Sequence, residues 1–103
     1  MAKFAYLFTG GSMAATPEEQ AKIMQEWGAW FGELGPAIVD GGNPFGASAS
    51  MLADGTVTGF GASGLGGYTL ITAESLADAT SLAKGCPVLA GGGTVEIYEA
   101  LDM

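Results

Sequence analysis

Two residues of this 103-residue sequence carry groups suited to acid–base chemistry or to holding a polar ligand, Asp40 and Tyr68. Asp40 ends a short apolar segment, and its carboxylate could act as a general base if burial in a cleft raised its pKa. An Asp in front of two glycines also caps a turn, and turn chemistry favours this second role. The Tyr68 hydroxyl could contact a ligand, although tyrosine in a half-buried strand more often packs its ring and leaves its tip in water.

Several aromatic residues could line an apolar pocket beside these two. Trp27, Trp30 and Phe31 recur at helical spacing, which is more typical of a helix that faces the core. Phe60 ends the strand predicted over residues 56–60. The ligand pocket predicted from the sequence consists of Asp40, Tyr68, Phe60 and Trp27, and the catalytic residues stay unknown.

The chain contains no histidine and one cysteine, Cys86. Imidazole chemistry is therefore excluded, and with it the Ser-His-Asp and Cys-His arrangements. Cys86 follows a predicted helix, whose dipole disfavours a thiolate there, so we expect a buried and inert thiol. One cysteine and dispersed carboxylates predict no metal site, and we expect no cofactor.

Residues 59–64 read Gly-Phe-Gly-Ala-Ser-Gly, which has the spacing of a dinucleotide-binding loop. Such a loop follows the first strand and opens a helix, whereas here a strand is predicted to follow and no Lys or Arg lies nearby. We predict a glycine-rich loop instead, and whether residues 59–67 form a lid stays open.

The net charge of −8 comes from eleven acidic residues against three lysines, with no arginine. Nucleic acids and anionic membrane surfaces are bound mainly through Lys and Arg, so neither is an expected partner. No apolar stretch is long enough to span a bilayer or to form a signal-peptide core, so the cytoplasm is the expected compartment. The length suits a single domain over residues 1–103.

Two helices and six short strands are predicted. Thr16, Pro17 and Glu19 form a strong helix start, and Gly35-Pro36 ends that helix. Ser75 and Asp78 start a second helix that stops at Gly85. Strands are predicted over residues 3–9, 37–40, 47–53, 56–60, 67–72 and 94–98, with Asp54-Gly55 as a hairpin turn and residues 99–103 as a loosely held tail.

This order of elements predicts an α+β domain with a ferredoxin-like βαββαβ layout, in which two helices cover one face of an antiparallel sheet. The other face also carries apolar residues, and exposed apolar sheet surface marks an interface. We therefore expect a homodimer that packs sheet on sheet.

Four motifs follow one another along nearly the whole chain. They are Thr16-Pro17-Glu18-Glu19 with Trp27 and Phe31, Leu65-Gly66-Gly67-Tyr68 with Ser75-Leu76, Cys86-Pro87, and the run Gly92-Gly93-Thr94-Val95-Glu96-Ile97. In this order and spacing they resemble YCII-related proteins, especially their DGPF-type branch. The resemblance implies a ferredoxin-like fold that dimerises through its sheets, as in the dimeric α/β-barrel superfamily.

That superfamily includes cofactor-independent isomerases and monooxygenases, and some YCII-related proteins carry a His-Asp pair. This chain has no histidine, and Cys86 stands before Pro87 where those members have Asp, so no catalytic residue is carried over. Our first hypothesis is a dimer that binds a small neutral molecule or acts as an accessory domain. The alternatives are a cofactor-independent isomerase or monooxygenase that uses Asp40 and Tyr68, and a structural interaction module.

Overall fold

The computed structural model describes residues 1–10 and 15–102 as a mixed α+β domain. The strands are β1 (Ala2–Thr9), β2 (Ile38–Asp40), β3 (Leu65–Ala73) and β4 (Thr94–Ala100). The helices are α1 (Pro17–Leu34), α2 (Leu76–Ala83) and the short α3 (Pro87–Ala90), and a 3-10 turn spans Gly35–Ala37. The strands pair antiparallel in the order β2-β3-β1-β4. This sheet confirms the α+β prediction and is consistent with a ferredoxin-like layout.

Both long helices begin where their capping residues predict. The Glu19 amide donates a hydrogen bond to Thr16 Oγ1 at 3.1 Å, and Asp78 N donates to Ser75 Oγ at 3.1 Å. The Glu19 carboxylate accepts from the amide of Ala15 at 2.8 Å. These bonds satisfy amide groups that have no partner inside the first turn, so local sequence alone sets both helix starts.

The core lies between one face of the sheet and the helices. Phe4, Tyr6 and Phe8 alternate along β1 and are all buried, as is Trp30 of α1. Two aromatic side chains also bond to α2: Tyr6 donates its hydroxyl to the Ala79 carbonyl, and Trp30 Nε1 donates to the Leu82 carbonyl at 3.0 Å. The sheet and α1 are therefore both tied to α2 by polar contacts inside an apolar layer.

The opposite side of the sheet, called the open face below, is formed by the residues that alternate with the buried ones. Because strand partners point the same way, the register places side chains in rows across β3, β1 and β4. One row consists of Tyr68, Leu7 and Glu96, and the next consists of Leu70, Ala5 and Tyr98. The middle of this face is therefore apolar, as the sequence predicts.

The predicted hairpin strands over residues 47–53 and 56–60 are wrong. The structure has a turn at Asp54-Gly55, with Thr56 N donating to Asp54 Oδ1 at 2.9 Å, but only an isolated bridge between Met51 and Val57. Residues 46–64, called the arm below, are exposed apart from three that are half-buried. Small residues that have no neighbouring strand do not maintain a ladder of backbone hydrogen bonds. The turn is therefore present without the two predicted strands.

The end of β4 and the segment after α2 also differ from the prediction. Glu99 and Ala100 belong to β4, because β1 extends far enough to pair with them through Phe4 and Lys3. The short helix α3 was not predicted, although Pro87 occupies its first turn, where proline is favoured. The predicted tail is thus shorter, and the helix that ends before Cys86 is followed at once by another.

Candidate functional site

Asp40 ends β2 at the edge of the open face, and both of its carboxylate oxygens accept hydrogen bonds. Oδ1 accepts from the Gly42 amide at 2.8 Å, and Oδ2 accepts from the Tyr68 hydroxyl at 3.3 Å. The first bond is the turn-capping interaction that the Asp-Gly-Gly sequence favours. Asp40 is exposed, so it does not lie in the buried cleft that a general-base role requires. The bond to Gly42 is the one that the turn role predicts, and the exposed position of Asp40 does not meet the condition for a general base.

Tyr68 lies under a second aromatic ring that the sequence did not single out. The Phe45 ring stacks on the Tyr68 ring with centroids 5.6 Å apart and planes 19° apart. The only sequence signal for Phe45 is its position directly after the Gly-Gly-Asn-Pro run that follows the predicted strand over residues 37–40. One cluster, called the Tyr68 cluster below, is therefore formed by Asp40, Tyr68 and Phe45. It contains two stacked aromatic rings, a hydroxyl and a carboxylate.

Backbone contacts hold this cluster against β3. Phe45 N donates to the Gly66 carbonyl at 2.9 Å, and Tyr68 N donates to the Asn43 carbonyl at 3.3 Å. The Thr69 hydroxyl donates to the Gly41 carbonyl at 2.9 Å. Three residues of the segment that follows β2 are thus bonded to β3, and these bonds fix the position of the Phe45 ring.

Removing the Asp40 carboxylate is expected to cost more than neutralising it. Asp40→Ala deletes the acceptor of the Gly42 amide and of the Tyr68 hydroxyl, so we expect the free energy of unfolding to fall by about 1 kcal/mol. Asp40→Asn keeps an acceptor oxygen for the turn and should stay within about 0.5 kcal/mol of the wild type. Urea unfolding of the two variants measures the difference, and equal losses would contradict the turn role.

The other two predicted pocket residues do not join the Tyr68 cluster. Trp27 lies on the helix side of the sheet, where its ring packs edge-on against Phe8 at 5.2 Å and against Trp30 at 5.6 Å. Phe60 belongs to the arm, and its ring is 70% exposed. Within one chain, therefore, Asp40, Tyr68, Phe60 and Trp27 do not surround one pocket.

Two shallow depressions open on the helix side. One, of about 340 Å³, lies between α1 and the α2–α3 junction and is bordered by Glu33, Lys84 and Cys86. The other, of about 470 Å³, lies between the end of α1 and the start of α2 and is bordered by Leu34 and Leu82. Neither depression is lined by a residue of the predicted pocket.

Cys86 is buried at the junction of α2 and α3, as expected from its position. Burial raises the pKa of its thiol to about 11, which keeps the thiolate scarce near neutral pH. Burial also raises the pKa of Tyr6 to about 12, with a further contribution from charge on Cys86. Both groups are neutral parts of the core at physiological pH.

These two groups predict a loss of stability at alkaline pH. Each binds its proton more tightly in the folded chain than at its ordinary pKa of 9.0 for Cys86 and 10.0 for Tyr6. Their contribution is therefore complete below about pH 9 and is lost as the pH rises through about 11 and 12. Urea unfolding between pH 8 and 12 should show this decline, and a Tyr6→Phe, Cys86→Ala variant should show a shallower one. An equally steep decline in the variant would contradict the assignment.

Within residues 1–10 and 15–102, no three His, Cys, Asp or Glu residues are grouped so that they could hold a metal ion. In the same part of the chain, none of the helices has the length and apolar character needed to cross a membrane.

Comparison of the chain with protein-family models, curated proteins and solved structures finds no match.

Proposed function

We propose that the protein is a YCII-related homodimer that packs the open faces of its two sheets together and binds a small neutral or weakly polar molecule, or serves as an accessory domain. The observation that carries the proposal is the apolar centre of the open face. Leu7 and Ala5 of the central strand lie there beside Leu70, on the side of the sheet away from the helices. Burial of such a surface by a second copy is favourable because it removes apolar area from water.

The dimer is tested by the molar mass of the purified chain in solution. Light scattering at micromolar concentration should give twice the chain mass of 10.3 kDa. Leu7→Lys should give monomers, because it places a charge at the centre of the interface. The new Lys lies directly opposite Glu96 of its own chain, so the pair favours the folded sheet.

Met24→Lys is the matched control, because Met24 is exposed on α1 and faces away from the sheet core. It adds the same charge to the same chain and should remain dimeric. A monomeric wild type would refute the proposal, and so would a Leu7→Lys variant that dimerises as tightly as the control.

The Tyr68 cluster is where the proposed ligand would bind. Its stacked Phe45 and Tyr68 rings suit a planar molecule, and the Tyr68 hydroxyl can exchange hydrogen bonds with a neutral polar group. No observation favours an isomerase or monooxygenase, because Asp40 is exposed and engaged in its turn.

Binding is tested by nuclear magnetic resonance titration with benzamide, a planar neutral probe. We expect shifts at the amides of Phe45 and Tyr68 that weaken in Tyr68→Phe. Tyr98→Phe is the control, because Tyr98 also lies on the open face but bonds to Glu96. Shifts elsewhere, or equal binding by both variants, would contradict this location.

A further inference from the structure

The arm makes the chain more extended than its length requires. A compact domain of this size has a radius of gyration of about 13 Å. The observed radius is 15.0 Å, and the chain measures 43 × 41 × 19 Å along its principal axes. Since nearly every residue between 46 and 64 is exposed, this segment accounts for surface that the core does not cover.

Hydrogen bonds within the arm give it a defined shape. Thr58 N donates to the Ser50 carbonyl at 2.8 Å, and Leu52 N donates to the Thr56 carbonyl at 2.7 Å. The Ser50 hydroxyl accepts in turn from the Ala62 amide at 2.7 Å. The arm therefore presents its side chains in a set arrangement even though it lies outside the core.

Large apolar side chains of the arm face solvent. Met51 is 73% exposed and Phe60 70% exposed, and Leu52 and Val57 are each more than half exposed. Met51 and Val57 are partners in an isolated bridge, so their side chains are neighbours. Exposed apolar side chains on an ordered segment are a feature of interaction surfaces.

The charge of the arm favours a second copy of the same chain as the partner. Asp54 is its single ionisable residue, so the arm holds one unit of the net charge of −8. Two copies repel each other through their remaining acidic residues, and the nearly neutral arm is the part that can approach a second copy with least repulsion.

The arm also starts at the rim of the open face. Phe45, the residue before it, stacks on Tyr68, which lies in the same row as Leu7. The arm therefore begins beside the surface that the proposed dimer buries.

We infer that the arm of each copy clasps the other copy, with the side chains of Met51, Val57 and Phe60 packed on the partner. The inference rests on the proposed sheet-to-sheet dimer and assigns the arm as its second contact. The arm then adds apolar burial at the edge of an interface whose centre is the open face.

The first test compares dimer dissociation constants by sedimentation equilibrium. The double variant Met51→Ser, Phe60→Ser should raise the dissociation constant by at least about tenfold, as expected for the loss of large buried side chains at an interface. Its circular dichroism spectrum should match that of the wild type, because both residues are exposed within one chain. The control Ala49→Ser, Ala62→Ser changes two small exposed residues of the arm and should leave the constant within about twofold.

The second test locates the arm directly. Phe60→p-benzoylphenylalanine is photolysed in a mixture of ¹⁵N-labelled and unlabelled chains, and crosslinked peptides are identified by mass spectrometry. Crosslinks that join a labelled chain to an unlabelled one support the inference. Crosslinks only within one chain, or binding of the arm to phosphatidylcholine vesicles in place of a second copy, would overturn it.

The outcomes separate this inference from the proposed function. A monomeric wild type removes both. Another outcome is a wild-type dimer that is disrupted by Leu7→Lys and unchanged by Met51→Ser, Phe60→Ser. That outcome supports the sheet interface and refutes the clasp.

Discussion

Replacing Gly42 by alanine is expected to lower the free energy of unfolding by about 3 kcal/mol or more. Gly42 has a φ of +77°, a region that side chains with a Cβ occupy at a cost of about 1–2 kcal/mol. A Cβ at this position would also lie 1.7 Å from the carbonyl oxygen of Tyr68. Because that oxygen belongs to the backbone of β3, the segment after β2 must move away from the sheet.

The movement would break contacts on both sides of Gly42. Tyr68 N would lose the Asn43 carbonyl, and the Thr69 hydroxyl would lose the Gly41 carbonyl. Each such bond contributes about 1 kcal/mol, which brings the total to the expected loss. The Phe45 ring is held by the same segment, so its stacking on Tyr68 should weaken and the near-ultraviolet circular dichroism should change.

Gly41→Ala is the matched control for this prediction. Gly41 precedes Gly42, its φ is not positive, and a Cβ there meets no heavy atom within 4 Å. Both substitutions restrict the unfolded chain equally, so that effect cancels in the comparison. Urea unfolding should place Gly41→Ala within about 0.5 kcal/mol of the wild type. Equal stability of the two variants would mean that residues 41–45 do not lie against β3.

Gly42 also illustrates where prediction from the sequence ends. Asp40 in front of two glycines predicts a turn, and the turn is present, because the capping bond joins residues two positions apart. Nothing local indicates that Gly42 touches β3, which follows it by more than twenty residues. The same holds for Phe45, whose contact with Tyr68 depends on the path of the whole segment.

The two long helices and the sheet were predictable for the opposite reason. Thr16 and Ser75 bond to amides three residues away, so their helix starts follow from local sequence. Once the elements are ordered, the preference for right-handed crossovers leaves few arrangements of four strands. The arm was predicted as a hairpin because the Asp54-Gly55 turn is compatible both with flanking strands and with irregular flanks. The flanks become strands only where a neighbouring strand pairs with them.

The residues of the predicted pocket do not come together within one chain, for a geometric reason. Trp27 and Tyr68 both belong to amphipathic elements, but the sequence does not state which side of the sheet each faces. Trp27 follows α1 to the buried side, whereas Tyr68 alternates with the buried Thr69 and therefore points to the open face. A shift of one residue along β3 would turn Tyr68 to the buried side. The phase of β3 therefore decides that Tyr68 and Trp27 lie on opposite sides of the sheet.

Replacing Trp30 by alanine is expected to lower the free energy of unfolding by about 3–5 kcal/mol, a large part of the total for a domain of this size. Trp30 is 2% exposed and is surrounded by the rings of Tyr6, Phe8, Trp27 and Phe31 at centroid distances of 5.6–6.2 Å. Alanine would leave a cavity among these rings. It would also leave the Leu82 carbonyl, in the last turn of α2, without its donor.

Trp27→Ala is the matched control, because it removes the same side chain from the same helix at a half-buried position. It should cost less than half as much, since its ring is already partly in water. Trp30→Phe separates the two contributions to the larger loss, because it replaces the indole with a smaller aromatic ring and removes the Nε1 donor to the Leu82 carbonyl.

Gly85 provides a test of the packing itself. A Cβ at Gly85 would lie 3.0 Å from Cδ1 of Trp30, so Gly85→Ala should destabilise the wild type by pressing on the indole. In the Trp30→Ala background only Glu33 Oε2, at 3.2 Å, remains close to the added methyl group, which can occupy part of the cavity. The double-mutant cycle should therefore give a coupling free energy of about 1 kcal/mol or more. Additive effects would show that Gly85 and Trp30 are not in contact. For the Trp30→Ala prediction, the contradicting outcome is a Trp27→Ala variant that is equally unstable, because the core would then not be centred on Trp30.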